Sequence, residues 1–370
     1  MKTENKFPTE KGLVKAIGNL LGLVSFLLIT LVVMAYFLIF GFPKFSNGLL
    51  PHQEGEQVVA QQSEGNKETV KNGWAPPDTS AIAKDETGKQ ILYGRSLIVN
   101  TSRYLGPKGT VAHISNGMNC QNCHLDAGTK AYGNNYSGVA STYPKLKQRS
   151  GKIESVFMRV NDCFQRSLNG EALDTNSKEM KAIRAYIDWL GKDVKKGVRP
   201  EGAGVEDLAF SDRAADPEKG KVLFMAKCIA CHGAEGKGVM LADGTAYQYP
   251  PLWGEHSFNT GAGLFRISRF AGYIKNNMPQ GATHSAPQLT DQEAWDIAAF
   301  VNSQSRPKGN ISKDWPDISQ KPVDHPFGPY ADTFSETQHK FGPFAAINAL
   351  KKQAKNKSGK NKATEVNQTK

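Results

Sequence analysis

The sequence predicts an all-α fold of two small domains in tandem, and two observations carry that prediction. The pentapeptide C-x-x-C-H occurs twice, as Cys120-Gln-Asn-Cys123-His124 and as Cys228-Ile-Ala-Cys231-His232. Each copy stands between an opening and a closing segment of helical character, and the two sets of segments align with one another. C-x-x-C-H is the signature of covalent c-type haem attachment: the thiols add across the haem vinyls and the adjacent imidazole becomes the proximal iron ligand. A C-x-x-C pair alone also suits a zinc or a thiol redox site. Two motifs that both end in His and use every cysteine except Cys163 leave those readings little room.

In the first unit Tyr93-Gly94-Arg-Ser-Leu-Ile-Val opens and Glu179-Met-Lys-Ala-Ile183-Arg-Ala185-Tyr186-Ile187 closes. In the second, Pro217-Glu-Lys-Gly220-Lys-Val-Leu-Phe224 opens and Glu293-Ala-Trp-Asp-Ile297-Ala-Ala299-Phe300-Val301 closes. Asn176 and Thr290 stand three residues before the two glutamates, the spacing of a capping box. An opening helix, C-x-x-C-H, a long loop and a closing helix compose a class I cytochrome c-like module. The chain therefore reads as two haem domains, 85–200 and 201–306, with two covalently attached haem c groups and their irons.

The remainder of the 370 residues surrounds this pair. Residues 16–43 carry no charge and 20–40 are almost continuously apolar, long enough to span a hydrocarbon core of about 30 Å. A cleaved signal peptide would have a shorter apolar region ending near a small-x-small site, and none follows convincingly. Lys2, Lys6, Lys11 and Lys15 precede the run and Lys44 alone follows closely. The positive-inside rule then puts residues 1–15 in the cytoplasm and the haem domains in the periplasm, on a single-pass inner-membrane anchor. Residues 44–84 lack periodicity and read as a linker, although Trp74-Ala-Pro-Pro-Asp has the look of the start of the folded part. Residues 307–350 read as a loop-like extension over the haem domains, and 351–370 as a basic disordered tail. The net charge of +11 favours anionic partners, but no nucleic-acid motif accompanies it, and nucleic acid is not an expected partner.

Aligning the modules suggests the sixth iron ligands. Met278, in Asn277-Met278-Pro279, lies 15 residues before Glu293, so His232/Met278 ligation is expected, with Met240 as the rival. The matching place in the first module, 16 residues before Glu179, holds Cys163. Ligation or haem-side chemistry there competes with an inert buried thiol; Met158 and Met180 are the substitutes. Arg159 and Ser167 stand four residues either side of Cys163 and share its face if the segment is helical.

These residues resemble the di-haem thiosulfate dehydrogenases, periplasmic cytochromes c that couple two thiosulfates into tetrathionate. The resemblance runs over roughly 85–306 and rests on N-G-M-N-C-Q-N-C-H-L-D-A-G-T, R-x-N-D-C-F-x-R-S-x-N-G, Y-P-P-L-W-G and I-K-N-N-M-P. It implies a first, catalytic haem ligated by His124 and Cys163, and substrate handling by Arg149, Arg159 and Ser167. Some members carry Lys just before the Met ligand; Asn277 stands there, so a Lys/Met exchange is not expected. The expected activity is oxidative coupling of thiosulfate, or tetrathionate reduction in reverse, with electrons passed to a cytochrome c or a quinone-linked acceptor. Both sulfur compounds are dianions, and fixed arginines offset their repulsion. In this reading Cys163 leaves the iron, bonds the outer sulfur of one thiosulfate, and is released when a second thiosulfate attacks that sulfur. The competing readings are a di-haem electron carrier without its own substrate, a haem subunit acting on a carrier protein in a multi-protein sulfur-oxidation system, and a di-haem peroxidase.

Overall fold

Helix crossings built on glycine set the geometry of both halves. In the first, the helix Glu86–Val99 (α1) crosses the helix Lys178–Leu190 (α3) at Gly94, where a Cβ would lie 2.0 Å from the Ala182 carbonyl oxygen. In the second, Pro217–Lys227 (α4) crosses Asp291–Ser303 (α6) at Gly220, where a Cβ would lie 1.9 Å from the Asp296 carbonyl oxygen. Ala182 and Asp296 hold the same place in their helices, three residues after the aligned glutamates. Between the crossings stand Val156–Arg166 (α2) in the first half and Ile267–Asn277 (α5) in the second.

The computed structural model describes residues 19–20, 22–31 and 73–368. The chain divides into two units, 1–65 and 66–370. In the first unit residues 22–31 are helical with exposed apolar side chains. Among the described residues no helix is long and apolar enough to cross a membrane. Most of 16–43, all of 1–15 and residues 44–72 lie outside the described residues.

The second unit is mainly helical, as expected, but not wholly so. Lys145–Lys147 (β1) pairs antiparallel with Lys152–Glu154 (β2), and Val239–Met240 (β3) with Tyr247–Tyr249 (β4). Both are two-stranded hairpins within the loops between C-x-x-C-H and the next long helix, segments too short to show a strand period in the sequence.

One core gathers Leu97, Ile98, Phe164, Met180, Ile183 and Tyr186; the other gathers Phe224, Trp295, Ile297 and Val301. Their membership crosses the expected divisions. Phe258 and Phe265, from the second haem segment, are buried in the first core, and Val323, Phe344 and Ile347, from the extension, complete the second.

Three expectations are corrected. Residues 73–84 are not all linker: Trp74 Nε1 donates to the Leu190 carbonyl, in keeping with a folded part that starts at Trp74, and Ile82 is buried in the first core. Asn176 does not cap α3; Ser177 does, accepting from Met180 N, whereas Thr290 and Glu293 form the expected reciprocal box on α6. Residues 351–368 continue a helix, Ala345–Gln368 (α7), instead of forming a disordered tail. Burial of Ile347 against the second core and the preceding Phe344 anchors the first turn, and most of the residues beyond it are good helix formers.

Candidate functional site

Each C-x-x-C-H is locked from behind by main-chain and side-chain hydrogen bonds. Cys120 N–H donates to Thr101 Oγ1 (2.9 Å) just beyond α1, Ser102 N–H donates to Asn119 Oδ1 (2.8 Å), and Asn119 N–H donates to Asn122 Oδ1 (2.7 Å). The motif is thereby fixed against the end of the opening helix. His124 places Nδ1 2.5 Å from the Asn134 carbonyl, and His232 places Nδ1 2.9 Å from the Pro250 carbonyl. A carbonyl at Nδ1 sets the tautomer that leaves Nε2 as the metal-facing lone pair. Burial pushes His124 down to about 4, against the opposing hydrogen bond to Asn134, and lowers His232 as well. Both rings are then neutral at pH 7, the form that ligates iron. Two thiols and one oriented neutral imidazole, twice over, fit the donor chemistry of haem c.

Cys163 lies on α2, whose N-terminus Ser155 caps by accepting from Met158 N. Cys163 is close enough to Cys120, Cys123 and Tyr136 to act on the ionisation of each, and Arg159 acts likewise on His124. The lone cysteine and the first haem motif, 40 residues apart in sequence, therefore lie close together. The negative charge that Cys163 can carry is the largest influence on Arg159, raising it above the ordinary guanidinium value. Ser167 caps the C-terminus of α2, with its N–H on the Cys163 carbonyl at 2.8 Å, so Arg159, Cys163 and Ser167 follow one another at four-residue steps along the helix. Of the alternatives to Cys163, Met158 is exposed and Met180 is fully buried in the core.

Arg149 arrives from the turn after β1 and donates to the carboxylate of Asp162, the residue before Cys163. Arg159 Nη1 lies 3.4 Å from the same carboxylate and Arg166 Nε donates to it at 3.0 Å. Arg166 is held in turn by a bidentate pair with Asp314, 2.7 Å on each arm, and Trp315 N–H donates to the Arg149 carbonyl at 2.6 Å. Burial, then Arg159 and Arg166, hold Arg149 down to about 10, and Arg159 is raised, so both guanidiniums are charged at neutral pH.

Sequence reasoning passed over Asp162, Arg166 and Asp314. The spacing Arg159, Asp162, Arg166 is an i, i+3, i+7 ion-pair ladder, and that signal was present. Asp314 is 148 residues from Arg166, and nothing local announces it.

In the second module Met278 follows the end of α5, half-buried against the second core, whereas Met240 is 40 % exposed on β3. The segment before Met278 also touches the first haem motif. Tyr273 OH donates to the Asn122 carbonyl (3.3 Å), inside the first C-x-x-C-H, and Asn277 Nδ2 donates to the Tyr132 carbonyl (3.1 Å). Lys275 pairs with Asp291 instead of approaching the Met position.

The family described as cytochrome c matches residues 217–305, and that described as SoxA/TsdA, cytochrome c domain, matches residues 110–195. The chain is 42% identical over 243 residues to a thiosulfate dehydrogenase of Psychrobacter arcticus, covering 65% of this chain and 71% of that protein. It is 38% identical over 264 residues to a thiosulfate dehydrogenase of Allochromatium vinosum, covering 70% and 89%. A solved structure of thiosulfate dehydrogenase (TsdBA) from Marichromatium purpuratum superposes with a TM-score of 0.60 at 30% identity, over 64% of this chain. This chain spans about half the length of that solved chain, 50%.

Proposed function

Since the chain belongs to the thiosulfate dehydrogenase family and carries two cytochrome c domains with covalently bound haem c, we propose that it joins two thiosulfates into tetrathionate at Cys163. The observation that carries this reading is that Cys163 and Arg159 act on the ionisation of the first haem motif, with Arg149 joined to Arg159 through the carboxylate of Asp162. Cys120, Cys123, His124 and Cys163 would hold the first haem; Cys228, Cys231, His232 and Met278 the second. The chemistry the haems supply is one-electron redox at two irons, enough for the two electrons of one coupling.

The chain's own residues do the rest. Arg149 and Arg159 receive the sulfonate of the first thiosulfate, and their forked N–H groups match its oxygens. The Cys163 thiolate bonds the outer sulfur of that thiosulfate with loss of two electrons, giving a Cys–S–S–sulfonate. A second thiosulfate attacks the sulfur attached to Cys163; that S–S bond breaks, tetrathionate departs, and the thiolate is restored. Atoms and charge balance without a proton. Ser167, one turn beyond Cys163, offers a hydroxyl to the reacting sulfonate.

The run at 16–43 supports a membrane anchor by composition and flanking charge, with the haem domains in the periplasm; a cytochrome c is the proposed electron acceptor. Fractionating the exported protein before and after removal of residues 1–45 tests the anchor; a soluble full-length chain would refute it. The reaction itself is tested by mixing the purified protein with thiosulfate and ferricyanide and measuring tetrathionate. Reduction of ferricyanide without tetrathionate, or only in the presence of a carrier protein, would refute it.

A further inference from the structure

The hairpin that leads into α2 is built inside out. Along 145–149, Lys145, Lys147 and Arg149 are half-buried, whereas Leu146 and Gln148 between them are exposed. Leu146 and its cross-strand partner Ile153 are 56% and 70% exposed. Side chains alternate between the faces of a strand, so a one-residue change of register would turn the leucine in and the cations out. The observed register instead desolvates Lys145 and Lys147, with Arg149 half-buried in the turn beyond, and leaves an apolar pair in water. Desolvating the cations costs free energy unless an anion meets them.

The charge balance gives that anion's class. The groups acting on Lys147 and Arg149 are Lys145, Arg159, Arg166, Glu154 and Asp314, with Asp162 on the arginines. Five cations face three carboxylates and, at Arg159, the Cys163 thiolate, while Arg199 and Arg269 also act on Lys145, so positive charge is in surplus. Asp162 and Asp314 engage the arginines, and among the described residues Lys147 has no ion pair. Burial first, then Arg159 and Lys145, hold Lys147 down to about 8.

We propose that Lys145 and Lys147 form a second sulfonate subsite beside the Arg149–Arg159 pair, which receives the attacking thiosulfate and the far sulfonate of tetrathionate. Inward residues of a strand stand about 7 Å apart, so the row offers more than one sulfonate's length of positive charge. The subsite deepens the reaction proposed above and rests on it.

The test is tetrathionate binding to the oxidised holoprotein by calorimetry, with both haem potentials as a second readout. Lys145→Gln and Lys147→Gln each weaken binding roughly tenfold, the loss of one charged hydrogen bond. Lys147→Arg retains it, and Lys192→Gln, an exposed site, leaves it unchanged. Equal affinity in the wild type and both Gln variants overturns the subsite. A shifted first-haem potential with unchanged affinity also overturns it, because the lysines would then serve a haem carboxylate. A wild type that binds tetrathionate through these lysines yet fails to oxidise thiosulfate keeps the subsite and refutes the reaction.

Discussion

The guanidinium of Arg149 donates to the carboxylate of Asp162, the residue that immediately precedes Cys163. One carboxylate thereby ties the β1–β2 turn to α2 at the turn of helix that presents the thiol. It also gathers Arg159 and Arg166, so three cations that repel one another are held on one carboxylate beside Cys163 in the chain.

Asp162→Asn tests that role. The amide keeps the shape but loses the charge that offsets the arginines, leaving them to spread apart. Charge-assisted hydrogen bonds are worth about 1.5–3 kcal/mol, so KM for thiosulfate should rise roughly tenfold or more. Haem content should be unchanged. A rise in KM that vanishes at high salt would indicate long-range steering instead.

Cys163→Ser and Cys163→Met should both fold with two covalent haems and show essentially no thiosulfate oxidation. Serine oxygen does not undergo the sulfur exchange, and a thioether cannot form the Cys–S–S–sulfonate bond. Wild-type protein treated with thiosulfate should carry an adduct by mass analysis that the Ser variant lacks. Substantial turnover by Cys163→Ser would falsify the covalent route and leave the haem assignments standing.

Met278→Gly should lower the potential of the second haem and slow its reduction by substrate, since a thioether ligand holds the potential high. Redox titration of the variant checks this. An unchanged potential would point to a different ligand, although Met240 is exposed on β3 and poorly placed to serve.

The pH dependence of anion binding follows from Lys147. The groups facing it are Arg159, Lys145 and Arg149, which with burial push it down, and Glu154, which opposes them; the net value is about 8. Because the charged form exists below that value, the lysine's contribution to tetrathionate affinity is complete at lower pH. It is lost as pH rises through about 8. Lys147→Arg should abolish this step, and a wild-type affinity that stays flat across it would show that the lysine does not meet the anion.

Much of the site was legible in the sequence because its chemistry is local. The thioether and imidazole positions lie within five residues, and aligning the two modules set Cys163 against Met278. Four-residue spacing placed Arg159 and Ser167 in line with Cys163. The lysines at 145 and 147 were passed over because a three-residue strand shows no period, and its burial pattern, Leu146 out and lysines in, is the reverse of what composition suggests.

By itself the sequence determined where haem can be attached, how each module opens and closes, and which side chains share a turn of α2. These follow from covalent spacing and helical period, which act over a few residues. Only the tertiary structure decided that Arg149 meets Asp162, that Asp314 holds Arg166 from 148 residues away, and that Tyr273 reaches the first haem motif. Those contacts depend on which surfaces are buried together when the cores form. A carboxylate near a guanidinium gains from the lowered dielectric there, however far apart the two lie along the chain.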